Sequence, residues 1–197
     1  MILFKELDLP QVPPELIVFK SQPDKVVRDI GYNLEHVKED RTLGACAYIN
    51  TVCDNKPTLE WMLVNIPGIT TSHKILKQVS KPLGEIGAHV VHSDINRVFA
   101  LNYFLDLGGK DVITSWYQEN GFPINRQKLV GGQQSDTGRV NYSDLTTLGS
   151  TQFKARTWYL LATDILHDVD YITSARVSIT ISLMDRNILK DLGIEDV

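Results

Sequence analysis

His92, Ser93 and Asp94 stand together in a strand-like segment, and His167 and Arg176 follow far downstream, nine residues apart. A strand turns every second side chain to the same face, so His92 and Asp94 point into one pocket with Ser93 turned away. With His167 supplied by a neighbouring strand, the set is two imidazoles and one carboxylate. Three such ligands on one face hold non-haem Fe(II) and leave the opposite coordination positions open. Arg176, in Arg176-Val177-Ser178, offers a planar cationic fork that matches a carboxylate.

Taken singly, each residue has a plainer reading. A lone strand histidine such as His92 is more often hydrogen-bonded than metal-bound, Asp94 alone reads as a strand-end or turn residue, and Arg176 alone as a surface charge. The ordered set favours ligation. His89 makes a His-x-x-His pattern with His92, but its odd spacing on a strand puts it on the opposite face. His36 and His73 lie in polar, helix-like stretches and read as exposed. Cys46 and Cys53 lack metal-site spacing and read as small core residues.

These residues need strands to position them. From residue 87 the text is β-rich, with strand candidates at 88–94, 97–106, 112–118, 153–162, 164–169 and 175–184. Before it come strand-like segments at 15–20, 44–52 and 58–65, and helical spacing at 24–37 and 71–86. Helices gathered early and strands late predict an α+β, mainly β fold: a double-stranded β-helix (jelly-roll) core with helices packed on one sheet. The segment at 176–183 is informative. Arg176, Ser178, Thr180 and Ser182 share one face, while Val177, Ile179, Ile181 and Leu183 share the other. A polar face belongs inside only if it lines a pocket, with the apolar face under helices. Likewise, Ala100, Asn102 and Phe104 alternate with Phe99, Leu101 and Tyr103.

The chain has 197 residues, 43% hydrophobic and 22% charged, which suits a single globular domain. Residues 1–86 read as strand and helix support, 87–184 as the jelly-roll core and 185–197 as a short C-terminal helix. A net charge of -4 without any Lys/Arg run gives no footprint for nucleic acid or an anionic membrane. No apolar run is long enough to span a bilayer, the start lacks a signal-peptide layout, and two cysteines suit a reducing, cytoplasmic setting.

The ordered set resembles the 2-oxoglutarate- and Fe(II)-dependent oxygenases. Their pattern is His-x-Asp, a long gap, a distal His and, a short interval later, an Arg, often as Arg-x-Ser. His92, Asp94, His167, Arg176 and Ser178 match it. So does the flanking text, Arg97-Val-Phe-Ala-Leu-Asn102 after the first motif and Thr157-Trp-Tyr-Leu-Leu before the second. The resemblance covers roughly residues 86 to 184 and is most like short stand-alone members related to prolyl hydroxylases. It implies Fe(II) held by His92, Asp94 and His167, 2-oxoglutarate as co-substrate and dioxygen as oxidant. It also implies that Arg176 and Ser178 hold the far carboxylate of 2-oxoglutarate, and that Asn102 touches co-substrate or substrate. Thr114 and Trp116 are expected to line the same cavity. Trp61, Trp116 and Trp158 otherwise read as packing rather than as a stacking platform for bases.

The irregular stretch from Asn120 to Gln152 is read as a lid over the substrate mouth, carrying Arg139 or Tyr142, or as a surface loop. The implied substrate is a small molecule or a peptide side chain. Two other readings stay open: a non-catalytic jelly-roll binding or structural protein with a relic metal site, and a cupin-like metalloenzyme without a keto-acid. The sequence does not fix an oligomeric state.

Overall fold

A computed structural model describes residues 1–17, 29–30, 36–38, 41–94, 97–121 and 142–194. The early elements are β1 (Phe4–Leu7), β2 (Asp29–Ile30), β3 (His36–Lys38), β4 (Arg41–Val52) and the helix α1 (Lys56–Asn65). Eight strands follow: β5 (Ile75–Pro82), β6 (Gly87–His92), β7 (Phe99–Leu107), β8 (Ile113–Glu119), β9 (Leu145–Thr151), β10 (Trp158–Ala162), β11 (Leu166–Ile172) and β12 (Arg176–Leu183). A short helix, α2 (Ile188–Asp191), ends the described chain.

The strand path is β1-β10-β7-β12-β5-β4-β6-β11-β8-β9. Of the eight consecutive strands, β5, β7, β10 and β12 fall in one sheet and β6, β8, β9 and β11 in the other. That alternation is a jelly roll. β4 links the sheets, antiparallel to β5 and parallel to β6 through Gly44 and Ala45 beside Gly87 and Ala88.

The alternation in β12 decides which face is which. Ile179, Ile181 and Leu183 are fully buried in a cluster with Leu101 and Tyr103 of β7, Met62 of α1 and Ile188 and Leu189 at α2. Each such side chain contributes roughly 1.5–3 kcal/mol by leaving water. The helices thus cover the outer, apolar face of the first sheet, as the alternation predicts. Arg176, Ser178 and Thr180 are buried as well, on the inner face. Inside, Phe104, Trp116, Phe153, Tyr159 and Leu161 pack across the two sheets.

Four early assignments are corrected. Residues 58–65, expected as a strand, belong to α1: Pro57 opens it, and Thr58, Met62 and Ile66 are buried at four-residue steps. Residues 71–86, expected as a helix, contain β5. It pairs with β12 on one side and β4 on the other, so neighbours rather than local spacing set its conformation. Within 24–37, also expected as a helix, the described residues are β2 and the start of β3, both paired to β4; the rest lie outside the described residues. The segment expected as a strand from 15 begins instead as a 3-10 turn, Pro14–Leu16, where prolines withhold an N–H, and residues 18–20 lie outside the described residues. The core also starts earlier than residue 87, because β5 is one of its strands. Of 185–197, α2 is the helical part described.

Candidate functional site

His92 ends β6 and His167 is the second residue of β11, and the two are direct cross-strand partners. Their rings lie 4.4 Å apart between centroids. His167 Nδ1 is 2.8 Å from the carbonyl of Ile165. A carbonyl only accepts, so Nδ1 carries the proton and Nε2 keeps its lone pair, as a metal-ligating imidazole requires. Burial and then repulsion from His92 hold His167 down at about 3, against the opposing pull of Asp94. The ring is therefore neutral at physiological pH.

Asp94 lies just beyond β6, its amide bonded to the Thr163 carbonyl at 2.6 Å. Burial works to raise its pKa, but Arg97, His92 and His167 together outweigh burial and leave it below the ordinary carboxylate value. Arg97 Nε donates to Asp94 Oδ2 at 2.6 Å. Arg97 was not among the residues singled out, although its three-residue spacing from Asp94 was a visible signal. Among the described residues, no three His, Cys, Asp or Glu side chains are gathered closely enough to hold a metal as they stand. The donor chemistry still fits Fe(II): two adjacent imidazoles, one of them neutral and in the right tautomer, with a carboxylate close enough to shift His167.

His89 departs from expectation. His167 pairs with His92 but Val169 pairs with His89, so two steps on β11 match three on β6. This β-bulge absorbs the odd residue and returns His89 to the face of His92. Its pKa is held well below normal by burial first, then by Arg176, His92 and His167. His89 therefore feels both the histidine pair and the arginine.

Arg176 opens β12 on the inner face of the first sheet, 8% exposed, with its guanidinium carbon 4.7 Å over the Phe104 ring. Ser178 Oγ and Thr180 Oγ1 are 3.3 Å apart, and Thr180 Oγ1 donates to Gln78 Oε1 at 2.8 Å. Asn102 is the cross-strand partner of Thr180, and its buried Oδ1 has no hydrogen-bond partner among the described residues. Thr114 and Trp116 pair with Val169 and His167, which places them on the inner face of the second sheet. Trp116 is packing, its Nε1 donating to the Ala162 carbonyl at 2.9 Å.

The stretch 120–152 contains β9, paired to β8, which its polar composition hid. Tyr142 donates to Asp168 Oδ2 at 2.8 Å, beside Tyr117 at 2.9 Å. Asp168 follows His167 on a regular strand and faces outward, so Tyr142 sits on the outer face of the second sheet rather than over the pocket. Arg139 lies outside the described residues. Cys46 and Cys53 are free and buried, as expected of core residues. His73, expected on a helix, accepts the Thr70 amide at 3.0 Å in a surface turn.

No family model matches the chain, and no curated protein matches it. Its fold neighbours are cupin-like. A cupin-like protein from Thermotoga maritima is 10% identical over 72% of this chain and 71% of its own, with a TM-score of 0.32. An oxalate oxidase is 11% identical over 91% and 70%, with a TM-score of 0.36. E. coli ycfD is 9% identical over 73% of this chain but 35% of its own, with a TM-score of 0.39. Such likenesses carry no functional argument. The jelly roll rests on the strand order itself.

Proposed function

We propose that this chain is an Fe(II)- and 2-oxoglutarate-dependent dioxygenase that hydroxylates a small molecule or a peptide side chain, with one oxygen atom of dioxygen entering the substrate and the other entering succinate as 2-oxoglutarate loses carbon dioxide. The observation that carries the reading is the pairing of His92 with His167 on one inner face, with Asp94 beside them and Arg176 on the facing sheet. His92, His167 and Asp94 would hold the iron. When bound, iron supplies activation of dioxygen, which no side chain provides. Arg176 orients a carboxylate through its fork, and stacking on Phe104 fixes the plane of that fork. Ser178 and Thr180 add hydroxyls along the same strand.

A second reading, a non-catalytic jelly-roll binding protein with a relic site, draws support from one feature: among the described residues, no three ligand-type side chains are gathered closely enough to hold a metal as they stand. Anaerobic titration with Fe(II) and 2-oxoglutarate separates the two. The weak visible charge-transfer band of the chelate is expected in wild type, absent in His167→Ala and shifted to higher 2-oxoglutarate in Arg176→Ala. A folded wild type with no band supports the binding protein instead.

A further inference from the structure

The inner face of the first sheet holds a polar row that the metal and co-substrate do not explain. Asn50 of β4 pairs with Gln78 of β5, which pairs with Ser178 of β12. Side chains at paired positions share a face, so Asn50 looks into the same interior as Ser178 and Arg176. It is 9% exposed, and among the described residues neither its buried Nδ2 nor its buried Oδ1 has a hydrogen-bond partner. Turning the amide over exchanges one unsatisfied atom for the other, so no flip repairs it. On the same sheet, Asn102 Oδ1 also lacks a partner among the described residues, as does Thr114 Oγ1 on the facing sheet.

Buried amides are normally satisfied, and an unsatisfied one destabilises the free protein. The demand here is specific. 2-Oxoglutarate carries only acceptors, so it can satisfy Nδ2 of Asn50 but neither its Oδ1 nor that of Asn102. Those oxygens need N–H or O–H donors. The partner of Asn50 must present a donor and an acceptor side by side, and no charged group is called for.

We infer that Asn50, with Gln78 beside it and Asn102 across the same sheet, forms a subsite for a neutral ligand edge that pairs a donor with an acceptor, as a primary carboxamide does. The amino edge of an adenine-type base presents the same pair, and Asn recognises it by the same two bonds. Identifying that ligand as the hydroxylation substrate rests on the dioxygenase reading; the subsite itself does not.

The test uses metal-free protein and three small probes, propionamide, 9-methyladenine and propionate, followed by ligand-observed NMR titration. Wild type is expected to bind propionamide or 9-methyladenine, whichever source the site serves, at least about tenfold tighter than propionate. Asn50→Leu, nearly the same shape, is expected to lose that preference while raising the melting temperature by roughly 2–4 °C, because it removes the unsatisfied amide. Asn50→Leu melting lower than wild type would mean that ordered water or chain satisfies the amide, which overturns the proposal. So would equal binding of all three probes. Repeating the titration on His167→Ala separates the two claims: retained preference there, with no chelate band in wild type, leaves the subsite standing while the iron reading falls.

Discussion

Arg97 holds the carboxylate of Asp94 through one charge-assisted bond, Nε to Oδ2, with the two side chains 18% and 19% exposed. The pair fixes both the charge and the orientation of the aspartate. Burial alone would raise Asp94, yet Arg97, with His92 and His167, leaves its pKa lowered. A carboxylate with a depressed folded pKa stabilises above its unfolded value, near 3.9, and that contribution is lost as pH falls through the folded value.

Arg97→Ala is therefore expected to cost about 1–3 kcal/mol in metal-free protein at pH 7. The difference from wild type should shrink as pH drops below about 4. Urea denaturation at both pH values measures it. An equal loss at pH 7 and pH 3 would point to packing of the Arg97 stem rather than to the ion pair.

The histidines respond in the opposite sense to a stabilising charge. His167 is held at about 3 by burial and by His92, and His89 well below normal by burial and Arg176. Below about 6.5 the unfolded chain takes up protons that the folded rings refuse, so folding loses stability there and is unaffected above. Each histidine contributes a slope of up to about 1.4 kcal/mol per pH unit. Urea midpoints of metal-free protein should fall steadily from pH 6.5 to 4.5. His89→Gln should remove part of that slope; an unchanged slope would mean that His89 titrates normally.

What the sequence made legible was what alternation encodes. In β12, the period-two pattern separated Arg176, Ser178 and Thr180 from Ile179, Ile181 and Leu183, and the helices cover the second set. The cross-strand meeting of His92 and His167 followed from residue types in order. Hidden features were set by neighbours. β5 has a helix-compatible spacing but takes its conformation from β4 and β12. His89 was misplaced because a bulge leaves no mark on Val90-Val91. Asn50 looked like any strand asparagine, because what its amide meets is a property of the folded interior.

The bulge makes His89 testable apart from the metal ligands. The bulge returns it to the face of His92, and its pKa is lowered by Arg176 as well as by the His92–His167 pair. His89→Leu is expected to leave Fe(II) affinity within about threefold of wild type, while the 2-oxoglutarate midpoint of the chelate band moves by roughly tenfold. Equal loss of both would show instead that His89 serves the metal directly.

Arg176 depends on a glycine that chemistry alone would overlook. Gly108 follows β7 at φ +83, and a Cβ there would stand 2.7 Å from Arg176 Cβ and 3.2 Å from its Cα. Backbone strain and this clash both act on Gly108→Ala, which should cost about 1–3 kcal/mol and push the guanidinium off the Phe104 ring. Its effect on function should copy Arg176→Lys, which keeps the charge but loses the fork: 2-oxoglutarate binding weaker by roughly 10- to 100-fold, with Fe(II) binding by the histidines retained. Both are read from the same anaerobic titration, at a temperature where Gly108→Ala remains folded by circular dichroism. If Gly108→Ala is destabilised yet binds 2-oxoglutarate as wild type does, the seat of Arg176 is not what sets co-substrate affinity.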